Sequence, residues 1–276
     1  MNELLRAQFS PSILRNWIFV VIGVAIISHA AGSAVAQTKN PSNGTEKITF
    51  LTADDFPYQT KEGTGATYEI LETVFAKLNY TTDQIHFYPW ARAFADVKSG
   101  KKNTAVFSMT RKPAREKFFD WYCYLFDGLS PQVIVRSDFV PSRSRNALSG
   151  KIAVLWRGSA GILRLKSLMK RGLESSYVEV SNHKQIIQML MSGRADFTIS
   201  FSKLIKKECS KENIDCESLV VFDYPQLQER NRLYLALSKN FDQHTKSTFV
   251  KAFLDFQRTK QYLRILHKYD LKFIVD

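Results

Sequence analysis

The chain has 276 residues, 45% hydrophobic, 13% aromatic and 24% charged, which excludes a disordered tail and suits two domains of ordinary size. A formal net charge of +13 would suit nucleic acid, but the basic residues fall singly or in short pairs such as Lys101-Lys102 and Lys206-Lys207, as on solvated faces. With 3 cysteines and neither Cys-x-x-Cys nor His-x-x-x-His spacing, a disulfide-dense scaffold and a zinc site are also excluded.

Residues 1–36 read as an export signal. Arg6 and Arg15 precede an apolar run from Trp17 to Ile27, short for a membrane span of about 20 residues. Ala34-Val-Ala36 then fits a small-residue cleavage site. Cleavage after Ala36 and a periplasmic location are expected, and export removes nucleic acid as a partner. An electropositive cleft drawing in anionic solutes is the functional reading of the charge.

From Lys47 onward strands and helices alternate, the mark of an α/β protein. Ile48 to Leu51 is an apolar strand, and Tyr68, Leu71, Val74, Phe75 and Leu78 fall at helical spacing. The turn-rich loop between them carries Phe56 and Tyr58 at a strand end, where ligands of open α/β sheets gather. Ile85 to Tyr88 is a second strand, and Pro89 opens a helix with Trp90 and Arg92 in its first turn. Ala105 to Met109 is a buried strand, after which Pro113 suits the start of a helix. That puts Thr110 and Arg115 at a helix mouth, where amides, hydroxyl and guanidinium can together hold an anion.

Gln132 to Arg136 alternates as a strand, and the polar stretch Ser137 to Ser149 is a candidate hinge. Lys151 to Leu155 starts a fresh strand, followed by the turn Trp156-Arg157-Gly158-Ser159-Ala-Gly161 and a helix from Ile162. A strand, Gly-Ser turn and helix again offer amides to an anion. Val178 to Val180 and Val220 to Phe222 are further strands, and Lys184 to Met191 is a helix. Cys209 and Cys216 flank a short polar loop and suit a local disulfide, leaving Cys123 as a buried apolar group in an aromatic run. Arg232 to Leu237 is the return strand, and Gln243 to Tyr269 carries apolar residues at helical intervals. The domain reading is residues 1–36 as signal, 37–136 plus 238–276 as the first lobe and 137–237 as an inserted second lobe.

The run Thr110-Arg-Lys-Pro-Ala-Arg115, followed by Phe118-Phe-Asp-Trp121, resembles the signature of the family 3 bacterial extracellular solute-binding proteins, the polar-amino-acid-binding type. The resemblance implies a two-lobed α/β fold of the type II periplasmic-binding (Venus flytrap) kind, with two hinge crossovers. It implies that Arg115 grips a ligand carboxylate beside Thr110 and Met109, with Lys112 standing where a second threonine is expected. Phe56 and Tyr58 match an aromatic-proline-aromatic segment whose ring stacks on the ligand; one ring or both can do so. Pro89-Trp90-Ala-Arg92 matches a spacing found near the cleft in one branch of the family. Gly158 and Ser159 match the turn that completes the carboxylate grip, and Arg157 adds charge there. Gly193-Arg-Ala-Asp196 matches a family strand in which Asp196 is structural. In members that bind α-amino acids, an acid near the end of that strand meets the amino group; here Phe201 stands in its place. Either Asp55 or Glu69 takes over, or the guest is not a standard amino acid.

The implied function is capture of an amino acid or related organic anion by a monomer, with no cofactor, for a membrane permease of the ABC type or for a sensor. No Gly-x-Ser-x-Gly elbow or phosphate loop is present, and His86 and His183 read as packing or capping residues. A lyase or dehydratase on the same fold is the enzymatic alternative.

Overall fold

The computed structural model describes residues 47–139, 146–222, 224–227 and 230–274. The expected signal and its cleavage site lie outside these residues. Two lobes are built on separate mixed sheets of five strands. In chain order the elements are β1 Thr49–Thr52, α1 Ala66–Lys77, β2 Ile85–Phe87, α2 Trp90–Lys98, β3 Thr104–Thr110, β4 Asp120–Asp127, β5 Gln132–Arg136, β6 Ile152–Trp156, α3 Ala160–Lys170 and β7 Ser176–Val180. They continue with α4 His183–Met191, β8 Phe197–Ser200, α5 Ser202–Lys211, β9 Leu219–Phe222, β10 Arg232–Leu237, α6 Gln243–Gln257 and α7 Lys260–Lys268.

The first sheet runs β2-β1-β3-β10-β4 and the second β7-β6-β8-β5-β9. Each is covered on both faces, so its central strands are apolar on both sides. In the first lobe Phe50, Phe107 and Leu235 meet α1, α6 and α7 through Phe75, Phe253 and Tyr262. On the opposite face Leu51, Val106 and Ala236 meet α2 through Ala93 and Val97. In the second lobe Val133 and Leu155 pack against α3 through Leu165 and Leu168, and Ile134 and Val154 against α4 and α5 through Ile187 and Ile205.

Strand pairing moves both expected lobe boundaries. β5 lies between β8 and β9, and β10 between β3 and β4, so each is a central strand of the lobe it was not expected to join. The chain passes from one sheet to the other instead between β4 and β5 and between β9 and β10. The polar stretch 137–149 is therefore not a hinge: β5 and β6, which it joins, share a sheet, and Phe139 and Leu148 pack on the second-lobe core.

The two crossings are tied to each other. The Gly128 amide donates to the Asn231 carbonyl at 2.8 Å, and the Asn231 side-chain amide donates to the Leu129 carbonyl at 3.1 Å. The fit is close enough that a Cβ on Gly128 would stand 2.7 Å from the Tyr58 hydroxyl oxygen.

Two bulges shape the floor of the first lobe. Ser108 and Cys123 adopt φ of 54° and 48°, each where β10 slips register against its neighbour. At Ser108 the slip breaks the strand's alternation. Met109 therefore turns into the core beneath α2 rather than lining a ligand site, and Ser108 takes its place. Cys123 is buried and unpaired, with burial pushing its thiol up to about 12, so it is an inert apolar group. Cys209 and Cys216 form the expected disulfide, their Cα atoms 6.2 Å apart.

Candidate ligand-binding cleft

Between the lobes lies a cavity of about 70 Å³, room for a few waters or part of a small solute. Its first-lobe wall includes Asp55, Tyr58, Trp90, Ser108, Thr110 and Arg115. The second lobe adds the start of α3, from Ser159 to Gly161, with Arg164, Trp156 and His183.

Arg115 is 4% exposed. It stands in a short 3-10 turn, Pro113–Phe118, rather than at the mouth of an α-helix, because the chain turns at once into β4. The guanidinium, not a helix dipole, therefore supplies the positive charge. It donates to the Thr110 carbonyl at 2.9 Å and, across the cleft, to the Gly158 carbonyl at 3.0 Å, while its flat face lies over Phe94 at 5.3 Å. Burial, and then the neighbouring Arg164, lower its pKa to about 10, which leaves it charged at neutral pH. Thr110 closes β3, and its hydroxyl donates to Asn231 Oδ1 at 2.7 Å.

Arg164, 6% exposed, donates to the same Asn231 oxygen at 2.9 Å. Two buried guanidiniums, one from each lobe, are thus organised around the second crossing. Arg164 was missed as a site residue, although its signal was present: it falls on the Gly161, Leu165, Leu168 stripe of α3, where a core residue is expected. Asn231 sits in a polar run with no periodicity and carried no signal.

The Gly-Ser turn supplies different atoms from those expected. Gly158 has φ of 73° and presents its carbonyl, which accepts from both Arg115 and Trp90 Nε1, each at 3.0 Å. The Ser159 amide is used within the turn, donating to the Trp156 carbonyl at 3.0 Å. Ser159 caps α3, but its side chain makes no capping bond, so the first amides of α3 have no partner within the helix and lie at the cavity wall. A Cβ on Gly161 would stand 3.1 Å from the Ile199 carbonyl oxygen, which is why glycine suits that close wall.

Of the proposed aromatic platforms, Tyr58 lines the cavity and Phe56 does not. The Tyr58 hydroxyl accepts from the Leu129 amide at 2.8 Å, so the side chain braces the connection between β4 and β5. Phe56 faces Lys207 of α5, 5.7 Å from its ring centre. Phe201 does reach the cavity and meets Tyr58 edge-on at 6.2 Å. Arg92 turns away, with its guanidinium 4.4 Å from the Tyr88 ring centre. Arg157 is also outside the cleft, its side chain 56% exposed and 3.9 Å from Glu179. Asp196 accepts from the Ile152 amide at 2.8 Å, pinning the start of β6.

Two lining groups stand out by what they lack. Asp55 Oδ1 and both nitrogens of His183 are buried without hydrogen-bond partners. His183 begins α4, packs at a tilt of 54° against Trp156 with ring centres 4.4 Å apart, and is held neutral by burial, then by Lys211, with its pKa lowered to about 4. Among the described residues no cluster of three or more His, Cys, Asp or Glu could hold a metal ion.

Residues 48–270 match the family model of bacterial extracellular solute-binding proteins, family 3. No curated protein matches the chain. Among solved structures, a histidine kinase sensor domain with similarity to periplasmic binding proteins shares 16% identity at a TM-score of 0.68, over 84% of this chain and 99% of that one. The amino acid ABC transporter substrate-binding protein AbpA from Streptococcus pneumoniae, bound to L-arginine, shares 19% identity at 0.64, over 80% and 93%. The GluR0 ligand-binding core from Nostoc punctiforme, in complex with L-glutamate, shares 16% at 0.63, over 80% and 98%. At these identities the likeness is one of fold.

Proposed function

Because the chain belongs to the bacterial extracellular solute-binding proteins of family 3, we propose that it captures a small anionic or zwitterionic, amino-acid-like solute between its lobes. Arg115 is the anchor for the negative group, Arg164 and the first amides of α3 cover that group from the other lobe, and Tyr58, Trp90 and Phe201 wall the guest. The observation that carries this reading is Arg115 itself: a buried guanidinium in the cavity, already reaching across to the opposite lobe. The amino acids named with AbpA and the GluR0 core support the guest class.

Two or three charge-assisted hydrogen bonds contribute about 1.5–3 kcal/mol each, a large part of the roughly 8 kcal/mol of micromolar affinity, with the ring contacts of Tyr58, Trp90 and Phe201 adding to it. Lobe closure on the guest produces the shape that an ABC-type permease recognises. The protein is exported by a signal cleaved after Ala36 and acts as a monomer. A thermal-shift screen of amino acids, simple carboxylic acids, polyamines and short peptides tests the reading. A melting rise with carboxylates that Arg115→Ala eliminates is expected, and a rise that survives the substitution would refute the anchor.

Presentation of the closed form to a membrane sensor is the second reading, favoured by the likeness to the kinase sensor domain. A pull-down with ligand-loaded protein separates the two, since the retained membrane protein is either a permease or a receptor.

A further inference from the structure

We propose that Asp55 receives a positively charged nitrogen of the guest, so that the cleft prefers zwitterions to plain carboxylic acids. This rests on Arg115 being the anion anchor.

Asp55 is the one carboxyl among the residues lining the cavity. Its backbone is fixed: the Asp55 amide donates to the Gln59 carbonyl at 2.9 Å, and the Tyr58 amide donates back to the Asp55 carbonyl at 2.9 Å. The side chain is thus positioned by a tight turn, yet its Oδ1 is buried with nothing to accept from. It is not the structural counter-ion of the two arginines. The charge that bears on it is the like-signed Asp54, not Arg115 or Arg164, and Asp54 is itself engaged by Lys211 at 3.1 Å. A cavity with guanidiniums at one place and a separate, unsatisfied carboxyl at another is complementary to a guest carrying both signs.

The other acid available for this role is already occupied. Glu69 accepts from Tyr269 at 2.5 Å and from Lys268 at 2.7 Å, and it does not line the cavity. From the second lobe Phe201 supplies only a ring to the cavity, and no second-lobe carboxyl lines it.

Proton linkage gives the idea a distinct signature. In the empty cleft, burial first and Asp54 second raise the Asp55 pKa to about 8, so the carboxyl is mostly protonated at neutral pH. A cationic nitrogen stabilises the ionised form, so binding releases a proton and affinity rises with pH up to about 8, by at most about tenfold per unit. The neighbouring groups do not titrate in that window. Arg115 stays charged and His183 neutral. Tyr58 is pushed upward by burial, and Lys211 is raised by its bond to Asp54. A guest with a second carboxylate in that place would instead accept from protonated Asp55, and its affinity would fall above pH 8.

Calorimetric titration of the purified protein with two matched pairs, L-glutamate with glutarate and L-arginine with 5-guanidinopentanoate, between pH 6 and 8.5 tests this. In at least one pair the amino compound should bind ten times more tightly or better, with affinity climbing toward pH 8. Asp55→Asn should erase both the preference and the climb, whereas Glu69→Gln should keep them. Equal or tighter binding of the des-amino partners, still abolished by Arg115→Ala, overturns the Asp55 assignment and leaves the anchor standing. Binding that Arg115→Ala does not weaken overturns the anchor. Failure of all four compounds to bind overturns both assignments. The wild-type pH profile needs no variant, so a misfolded substitution cannot rescue the idea.

Discussion

Two seams join the lobes, and they are made of different chemistry. Inside the cleft, Trp90 and Arg115 of the first lobe converge on one carbonyl of the second, that of Gly158, and Trp90 meets Trp156 at 5.9 Å. Outside it, α5 presents Lys203, Lys207 and Lys211 at four-residue spacing to the first lobe. Lys203 pairs with Asp270 at 2.6 Å, Lys211 with Asp54 at 3.1 Å, and Lys207 lies over the Phe56 ring. The inner seam is buried and uses the groups proposed to hold the guest, so occupancy and closure are one event there. Lys203 and Lys211 are 44% and 43% exposed at the side chain, where ion pairs are weak and screened. On the proposed function, ligand control would belong to the inner seam, and the outer one would only bias the empty protein.

The hardest test of that contrast is Arg115→Ala. It removes the proposed anchor, and a loss of at least 100-fold in affinity is expected, since two charge-assisted bonds amount to about 3–6 kcal/mol. Folding should suffer little, because the substitution also removes a buried charge that opposes Arg164. Calorimetry should place the melting temperature within about 4 °C of wild type.

Next comes the disulfide. Cys209 lies near the end of α5 and is tied to Cys216, so the bridge stiffens the platform of the outer seam. Replacing both cysteines by serine should lower stability by about 2 kcal/mol, the loop-closure value for so short a loop, read as a fall in denaturation midpoint. Affinity should move by less than threefold. A larger change would mean that the outer seam controls occupancy after all.

Trp90→Phe takes one bond from the inner seam and keeps a ring against Phe94 and Trp156. The Gly158 carbonyl retains Arg115 as a donor, so the expected cost is about 1 kcal/mol, or roughly fivefold in affinity. The loss should appear mainly in the dissociation rate.

What the sequence made legible follows from the kind of signal each feature carries. β5 and β10 are legible to the residue because each is a short run rich in Val, Ile or Leu opened by a polar residue. Such a run does not say which sheet accepts it, and the pairing puts each strand in the other lobe. α5 carries no helix expectation, only the polar loop between Cys209 and Cys216 overlapping its end, because Leu204, Ile205 and Cys209 are its only buried residues, too thin a stripe to register. Arg115, Thr110, Ser159, Tyr58, Trp90 and Phe201 all line the cavity, located by motif. Met109, Arg157, Arg92 and Phe56 do not line it, since a bulge, a turn and side-chain direction decide where they point. Those are properties of three-dimensional register, which neighbouring letters do not encode.

The smallest expected effect comes from the lysine row. Each exposed pair contributes about 0.2–1 kcal/mol, so Lys203→Met with Lys211→Met should change affinity by less than about fivefold, yet should measurably expand the empty protein in small-angle scattering. Salt supplies the matched control, because exposed pairs are screened over a Debye length of about 10 Å at 0.1 M while the buried seam is not. Raising salt from about 0.05 to 0.5 M should therefore expand the empty wild-type protein and leave the double variant unchanged. Equal expansion of both would show that the lysine row does not hold the lobes together, and closure would then rest on the inner seam of Trp90, Arg115 and the Gly158 carbonyl.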